Sequence, residues 1–534
     1  MNSTISTFDI IVLIGYLSGM LLIGYLSGRG NKNQDDYLLA GRSMPWFPIA
    51  LSVAATMISA NSFIGGPGWG YNSGLSPYMV NIAVPIAIFV ALTVSIPIFY
   101  NLRITSIYEY MEQRLGKRMR LLTVILFFCT NLLQVSSMVF IPALILKTIT
   151  GWPLNIIVPL IVFISIIYTL LGGIKAVIWT DLVQTIVVWI GLILAFIIPV
   201  KALGGDVFSI FESAKLAGKF QTLDFTFDLH TTHAFWCSII GGSAMWIRYF
   251  CFDQTQVQRV LTAKSIKGVK ASLASSSLVM SVTYFICLLV GIVLWKYYDG
   301  IAFETTNEIM INFILTKMPV GIVGLVVAGA FAAAMSSVDS ILNSMTTVFI
   351  KDIYEKHFNK DKKEVSLNKT MAISSVFGIL IIFIVIIAFG DTVKSVIDVV
   401  GGYISYFSGP ALAAFVLAMF TDKANDKGTA IGLIAGFGLG YLFAKTYSIS
   451  WLWNPAIGFI ISFSVGYVSS LLFTSDKSID EINLYTAKGI RKSILASDKT
   501  TVDGVSIVPF KIDKYAIFTL AVFIGQFIVL GIFQ

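Results

Sequence analysis

The chain has 534 residues, of which 56% are hydrophobic and only 12% are charged. A soluble domain is about 45–50% apolar and about 25% charged, so this composition excludes a water-soluble protein and predicts a membrane protein. The formal net charge of +8 does not indicate nucleic-acid binding, because the lysines and arginines stand in short segments between apolar runs.

Apolar runs that could cross a bilayer recur along the whole chain. A hydrocarbon core about 30 Å thick needs about 20 mostly apolar helical residues. Fourteen runs meet this requirement, at residues 8–27, 45–70, 77–100, 120–147, 153–171, 180–201, 233–251, 270–296, 316–349, 371–390, 395–419, 429–447, 452–473 and 515–533. They predict an all-α membrane protein with fourteen transmembrane helices. No enzymatic activity is expected, because the longest polar segment, 474–514, contains no phosphate loop, nucleophile elbow or metal-ligand cluster.

Positive charges are unevenly distributed between the connecting segments. The segments after odd-numbered spans are rich in lysine and arginine, whereas most of the others carry two positive charges or fewer. The weakest case is 202–232, with Lys215 and Lys219. Positive segments stay in the cytoplasm, so both termini are predicted to lie outside the plasma (inner) membrane.

Two predicted spans contain features that interrupt helices. The second carries a Gly-Gly-Pro-Gly run at 65–68, and the seventh carries Gly241 and Gly242. Transporters place broken helices at equivalent positions of two repeats, next to their binding sites. The alternative is that these glycines only permit close helix packing.

The two interrupted spans lie five apart, which predicts two five-helix repeats of opposite orientation. The domain boundaries that follow are a first span with its loop, a first repeat of spans 2–6, a second repeat of spans 7–11 and three peripheral spans. They lie at residues 1–44, 45–201, 202–419 and 420–534, with a cytoplasmic loop near 474–514.

The ninth span has a polar face. Ser336, Asp339, Ser340 and Asn343 follow a helical spacing and form one stripe. A carboxylate at the centre of a span costs at least about 2.5–3.5 kcal/mol, so it needs a partner or a cation. Asp181, at the start of the sixth span, is a second candidate ligand, or an ordinary interfacial acid. Serine hydroxyls can instead bond to carbonyls of their own helix.

Five segments in order resemble the sodium/solute symporter family, whose members carry sugars, sialic acid, proline, monocarboxylates, vitamins or iodide. The segments are Asp36–Trp46, Arg103–Tyr110, Gly172–Asp181, Gln258–Ser265 and the ninth-span stripe running into Lys351–Tyr354. The resemblance covers nearly the whole chain. It implies the five-plus-five inverted-repeat fold of amino-acid symporters, with one helix before the core and three after it.

The resemblance also implies a sodium site. Its ligands match the carbonyls of Ala55, Ile58 and Ala333 and the hydroxyls of Ser336 and Ser337. No other cofactor is expected.

A second cation site is implied by the sialic acid branch of the family. Its positions match Asp181, Ser336, Asp339 and Ser340, and this chain has an aspartate at 339 where that branch has serine. Two carboxylates could bind a second sodium ion more strongly, or one of them could carry a proton.

The residues that match the family's solute pocket differ from those of the sugar carriers. Ser62, Asn81 and Trp246 replace polar sugar ligands of the galactose carriers, and Gln134 replaces an arginine that grips sialic acid. Tyr249 matches the tyrosine that closes the sugar pocket from inside. The stretch 235–259 is more similar to the monocarboxylate, vitamin and iodide branch.

Arg248 is a further candidate solute ligand, because a guanidinium can hold a carboxylate through two hydrogen bonds. The alternatives are pairing with Asp253 or Asp181, or extension of its head group toward the membrane surface. These residues favour an organic anion as the solute, with a sugar or polyol as the alternative.

The sequence as a whole predicts a sodium-coupled symporter that imports a small organic solute by alternating access. Its expected partners are sodium, the solute and the lipid bilayer, without nucleic acid, and a monomer is the default expectation. The rival classes are a non-transporting membrane receptor and a passive channel.

Overall fold

The computed structural model describes residues 6–58, 61–358, 365–389, 396–475, 477–497 and 499–534. Its α-helices, numbered in chain order, are α1 (Thr7–Gly28), α2 (Gln34–Leu39), α3 (Trp46–Met57), α4 (Gly66–Ser73), α5 (Val84–Val90), α6 (Ile96–Leu102), α7 (Ile107–Arg114), α8 (Lys117–Thr150), α9 (Leu154–Ala202), α10 (Val207–Leu216), α11 (Gly242–Phe252), α12 (Gln254–Val260), α13 (Ile266–Tyr297), α14 (Thr306–Lys317), α15 (Ile322–Val348), α16 (Leu367–Phe389), α17 (Val396–Phe420), α18 (Asp426–Thr446), α19 (Asn454–Leu472), α20 (Ile479–Asn483), α21 (Ala487–Ala496) and α22 (Lys514–Phe533).

Shorter elements join or extend these helices. π-helical turns are Asn61–Gly65, Ala91–Ser95, Cys237–Gly241 and Phe349–Phe358, and 3-10 turns are Ala40–Arg42, Ser76–Asn81 and Trp451–Trp453. Strands β1 (Thr501–Val502) and β2 (Val505–Ser506) form an antiparallel hairpin in which Thr501 pairs with Ser506.

Ten helices of the described chain are long and apolar enough to cross a membrane, or eleven if α3 and Ser62–Ser73, bent by 67°, form one broken span. The prediction of an all-α membrane protein is therefore confirmed at this coarser level. The predicted spans 153–171 and 180–201 form the one helix α9. The span predicted at 233–251 is the shorter helix Cys237–Phe252, and that at 395–419 corresponds to α17. Residues 390–395, at the junction of two predicted spans, lie outside the described residues.

Gly173 interrupts α9. An unbroken helix of 49 residues would be about 74 Å long, more than twice the thickness of a hydrocarbon core. Gly173 has φ 59° and ψ −152°, a conformation that glycine adopts at no steric cost. A Cβ atom there would lie 2.4 Å from the carbonyl oxygen of Tyr37, so both the backbone angles and the packing require glycine.

The break in the second span lies before its glycine run, and this corrects the sequence interpretation. Helix α3 ends at Met57, and Ile58 leaves the helix with φ −82° and ψ 73°. The glycine run continues the helical path into α4, where Pro67 occupies the first turn that proline tolerates. A Cβ atom on Gly68 would lie 2.2 Å from the carbonyl oxygen of Thr306. The glycines therefore allow close packing.

The glycine pair of the seventh span also serves packing. Cys237–Gly241 and α11 follow one another without a gap. A Cβ atom on Gly241 would lie 1.9 Å from the carbonyl oxygen of Leu452, so the packing alternative accounts for this glycine. The helix instead ends at Asp253, whose side chain caps α12 by accepting a hydrogen bond from Thr255 N.

The helices differ in how deeply they are buried. In the most apolar 18-residue window of Ile322–Phe358, 89% of the residues are buried, against 17% in that of α1. α15 packs against α9, α3, α8 and α1. The polar face of the ninth span is therefore enclosed by protein at the centre of the molecule.

Buried charged side chains connect the peripheral helices α1 and α22 to central helices. The Asp9 Oδ1 atom of α1 accepts hydrogen bonds from the backbone N–H groups of Gly321 and Gly324, both at 2.7 Å, at the start of α15. The fully buried Lys270 of α13 forms an ion pair of 2.6 Å with Asp513, which caps α22.

Candidate functional site

A small cavity separates the end of α3 from α9 and α15. It is lined by Ala55, Ile58, Gln184, Thr185, Val188, Ala332, Ala333 and Ser336. Its volume, measured as the space open to the centre of a water-sized sphere, is about 10 Å³, about enough for one water molecule or one small ion. Four of the five predicted sodium ligands line this cavity. The fifth, Ser337, does not, and its hydroxyl donates a 3.3 Å hydrogen bond to the carbonyl of Ala333.

The serines of the ninth span divide into two groups. Ser337, Ser340 and Ser344 each bond to a carbonyl of their own helix, Ser340 to Ser336 at 2.5 Å and Ser344 to Ser340 at 2.9 Å. All three hydroxyls thus donate within their own helix, and each keeps oxygen lone pairs that can accept a cation. Ser336 differs, because its buried hydroxyl has no hydrogen-bond partner among the described residues. This hydroxyl lies next to the carboxyl group of Asp181 and is not tied to a backbone carbonyl, so its oxygen can serve as a cation ligand.

The other side of the small cavity is a helix end. Because the backbone leaves α3 at Ile58, carbonyls of the last turn are not committed to a following turn. Carbonyl and hydroxyl oxygens are the hard donors that alkali and alkaline-earth cations prefer. The residues present fit a sodium ion: Ala55, Ile58 and Ala333 offer carbonyls and Ser336 offers the unpartnered hydroxyl.

Two buried carboxylates lie beside this cavity. Asp181 Oδ2 accepts a hydrogen bond of 2.5 Å from Ser52, while its Oδ1 has no hydrogen-bond partner in the described chain. Both oxygens of Asp339 are engaged, with Tyr168 at 2.7 Å and Ser340 at 3.1 Å. Of the two carboxylates, Asp181 therefore has the oxygen available to a cation.

A single guanidinium accompanies the two carboxylates. Arg259 donates hydrogen bonds to Thr56 Oγ1 and, at 3.4 Å, to the carbonyl of Ser52. Within the described residues, one of its terminal nitrogens has no hydrogen-bond partner. With Asp181 and Asp339 both ionised, this buried region carries one excess negative charge, which a bound cation or a proton would neutralise.

Sequence reasoning missed three residues of this region. Gln184 and Thr185 line the small cavity from α9, and Arg259 supplies the guanidinium. The signal for the first two is that they follow Asp181 by three and four positions, on the same helix face. Arg259 stands in the family segment Gln258–Ser265, but nothing in that segment indicated a contact with the predicted ion site.

A larger cavity adjoins the first, with about 230 Å³ open to the centres of water-sized particles. Its lining residues are Thr56, Met57, Ile58, Ser62, Gly66, Trp69, Val80, Asn81, Val84, Gln134, Ser137, Met138, Met245, Trp246, Arg248, Tyr249, Met280, Ser281, Tyr284, Ile404, Ser408 and Trp451. All six predicted solute ligands are among them; that they bind solute stays a prediction. Ile58 lines both cavities, so the candidate ion site and the candidate solute site share a wall.

Arg248 has a partner inside the protein. Its guanidinium forms an ion pair of 2.9 Å with Asp253 and lies 3.5 Å from the hydroxyl of Thr130. The pairing alternative considered for this residue is therefore present in the structure. Arg248 nonetheless lines the larger cavity. Beside it, the Tyr249 hydroxyl accepts a hydrogen bond of 2.8 Å from Gln256.

The sequence profile of the sodium:solute symporter family matches residues 37–436, which is well over half of the chain and contains both cavities apart from Trp451. The chain belongs to the sodium:solute symporter family. Like the family, it is a sodium-coupled solute transporter and a multi-pass membrane protein rather than an enzyme. The resemblance of the five segments is thus confirmed.

Individual members of the family are similar over most of their length. The sodium/sialic acid symporter NanT of Aliivibrio fischeri is 28% identical over 92% of this chain and 98% of its own. The sodium-dependent multivitamin transporter of Oryctolagus cuniculus is 30% identical over 82% of this chain and 70% of its own. The human sodium-coupled monocarboxylate transporter 1 is 30% identical, with 82% and 73% covered.

Solved structures show the same fold. A substrate-bound, outward-open sodium-coupled sialic acid symporter has a TM-score of 0.79 and 29% identity, covering 88% of this chain and 99% of its own. Mhp1, a nucleobase-cation-symport-1 family transporter in a closed conformation, has a TM-score of 0.55 at 13% identity, covering 85% and 99%. The second similarity concerns the fold alone.

Proposed function

We propose that this symporter imports a small organic anion together with sodium by alternating access. The observation that carries the proposal is the shared wall at Ile58, next to the unpartnered hydroxyl of Ser336. A cation in the small cavity would fix the broken helix α3 in the position that also shapes the solute cavity. Sodium would thereby raise the affinity for solute, and solute would raise the affinity for sodium by the same factor.

The proposed sodium site consists of Ala55, Ile58, Ala333 and Ser336, with Ser337 as the remaining family ligand. To bind the ion, the hydroxyl of Ser337 would have to give up its 3.3 Å hydrogen bond with the Ala333 carbonyl. The membrane potential drives sodium inward with about 2.3 kcal/mol per charge for each 100 mV.

A second cation is proposed at Asp181, Ser336, Asp339 and Ser340. The two neighbouring carboxyl groups and the Oδ1 atom of Asp181, which has no hydrogen-bond partner within the described residues, support it. The second cation is sodium, or a proton shared by the carboxylates. Measuring the charge moved per solute at different pH values separates the two.

The solute is proposed to contact Ser62, Asn81, Gln134, Trp246, Arg248 and Tyr249, which all line the larger cavity. Two similarities support an anion: relatives of this chain are named for monocarboxylates and for sialic acid. A sugar or polyol is the alternative solute, and comparing the binding of an organic acid with that of a polyhydroxylated compound distinguishes the two.

The topology proposed for this activity has fourteen spans. They are the eleven long candidates, the second segment of α9 after Gly173, Cys237–Phe252 and Ile404–Phe420. Spans 2–6 and 7–11 form two inverted repeats, and both termini lie outside the plasma membrane of a monomeric protein. Accessibility of single cysteines placed at the two termini to an impermeant reagent on intact cells tests this orientation.

The proposed function is tested with purified protein in lipid vesicles. An inward sodium gradient should drive uptake of labelled solute, and internal unlabelled solute should accelerate entry of label. Counterflow of this kind distinguishes a carrier from a passive channel, which lacks it. A receptor would bind solute without moving it across the membrane.

A further inference from the structure

The chemistry of the larger cavity restricts the class of solute. Of the 22 described residues that line it, thirteen carry apolar or aromatic side chains. They are Met57, Ile58, Trp69, Val80, Val84, Met138, Met245, Trp246, Tyr249, Met280, Tyr284, Ile404 and Trp451. Methionine thioethers adapt their shape and make favourable contacts with ring edges, and indoles offer flat apolar faces. Such walls suit the faces of a flat or apolar solute body.

Apart from the tyrosine hydroxyls and indole N–H groups, few polar side chains of the described lining remain available to the solute. Seven of the described lining residues are neutral, polar and not aromatic, and four of them bond to a carbonyl of the preceding helical turn. These four bonds, of 2.7–3.0 Å, are made by Thr56, Ser137, Ser281 and Ser408. Ser62, Asn81 and Gln134 form no side-chain hydrogen bond with another described residue, and they line the cavity. A solute with many hydroxyl groups would bury several of them without partners, which disfavours its binding.

The charge of the wall has one sign. Arg248 is the charged residue of the lining, and no acidic side chain lines the cavity within the described residues. Its partner Asp253, 2.9 Å away, is fully buried outside the lining. The ion pair is therefore a dipole whose positive end lies at the cavity, and this end attracts an anionic group and repels a cation.

We infer that the solute is an organic acid whose body is apolar or aromatic and poor in hydroxyl groups, with its carboxylate toward Arg248. The inference rests on the proposed function and narrows it. It separates this chain from its sialic acid relatives, because sialic acid is a polyhydroxylated acid. The carboxylate meets Arg248 together with the neutral donors Ser62, Asn81 and Gln134, while the methionines and tryptophans contact the body.

The test measures sodium-dependent binding of four probes to the purified full chain by thermal stabilisation. Nicotinate and benzoate are aromatic acids, nicotinamide is the uncharged counterpart of nicotinate, and N-acetylneuraminate is the polyhydroxylated acid. At least one aromatic acid should bind at a concentration at least tenfold lower than nicotinamide and N-acetylneuraminate. Binding of neither aromatic acid, or equal or tighter binding of N-acetylneuraminate or nicotinamide, overturns the inference.

Variants test the orientation of the acid. Arg248→Gln combined with Asp253→Asn removes both charges together, so that neither group is left buried and unpaired. We expect this variant to bind the aromatic acid at least tenfold more weakly and nicotinamide unchanged. Arg248→Lys keeps the positive charge and the partner, and should retain more of the acid binding than the double variant. Acid binding equal to wild type in the double variant refutes the role of Arg248.

A separate measurement distinguishes failure of this inference from failure of the proposed function. Binding of radioactive sodium to the same preparation needs no solute. If sodium binds and the Ser336→Ala variant weakens it, while N-acetylneuraminate is the carried solute, the sodium site stands and the solute class is wrong. If sodium binding is absent or unaffected by Ser336→Ala, the proposed ion site is wrong.

Discussion

Replacing Ser336 with alanine tests the sodium site most directly. The hydroxyl of Ser336 is buried, lines the small cavity and has no hydrogen-bond partner within the described chain. Its removal deletes one proposed oxygen ligand of the ion and breaks no bond to the helix backbone; the neighbouring carboxyl group of Asp181 keeps its hydrogen bond from Ser52. The variant therefore separates the energy of ion binding from the stability of the fold.

The magnitude follows from the kind of contact that is lost. A hydrogen bond or similar contact to a charged group contributes about 1.5–3 kcal/mol. Sodium affinity should therefore fall about tenfold to 150-fold in the Ser336→Ala protein. The sodium-free protein should be as stable as wild type or more stable, because a buried hydroxyl without a partner has been removed.

The assay is the melting temperature of the purified protein over a range of sodium concentrations at constant ionic strength. A ligand that binds the folded state alone stabilises it by RT ln(1 + [L]/Kd), so the curve for Ser336→Ala should shift to higher sodium concentrations. Ser344→Ala is the matched control, because that hydroxyl bonds to the Ser340 carbonyl at 2.9 Å on the same helix. A sodium curve for Ser336→Ala within twofold of wild type would refute the reasoning.

Three further substitutions probe other parts of the molecule. Asp181→Asn should reduce the charge moved per solute, because it removes the carboxylate with a free oxygen. The charge is measured from the reversal potential of transport currents. An unchanged value contradicts the second cation site. Gly291→Ala should destabilise the protein by about 1–3 kcal/mol, since its Cβ would lie 2.0 Å from a backbone oxygen. In the control Gly438→Ala the new Cβ has open space, so the melting temperature should be nearly unchanged. Equal effects of the two substitutions contradict this prediction. Asp513→Asn should lower the free energy of unfolding by about 3–5 kcal/mol, because it leaves Lys270 buried and unpaired. Adding Lys270→Met should recover part of the loss in melting temperature. A double variant that is no more stable than the single one contradicts this prediction.

The sequence predicted which residues would approach one another better than it predicted where helices break. Periodicity placed Ser336 and Asp339 on one face, and the family resemblance supplied Ala55 and Ile58 from a distant segment. The sequence predicted the break at the glycine run instead of near Ile58. Glycine is typical both of close packing and of interrupted helices, and only the contacts with the neighbouring helix distinguish the two.

Contacts between distant segments explain the remaining differences. Nothing near Arg259 in the sequence indicates that it reaches Thr56 and Ser52, since this contact depends on how α12 folds back beneath α3. The pairing of Arg248 with Asp253 was one of three alternatives, because local spacing does not determine which acid a long side chain reaches. The merging of two predicted spans into α9 reflects a short connection around Gly173 that retains helical geometry on both sides.

The carboxylate of Asp9 has a mechanical consequence. It caps the amide groups at the start of α15 from a helix that precedes the two predicted repeats. A movement of α15 relative to α1 would leave these two N–H groups without acceptors, so the two helices are expected to move together. The first helix is thus coupled to α15. A fusion partner that restrains α1 should therefore slow turnover without contacting either cavity.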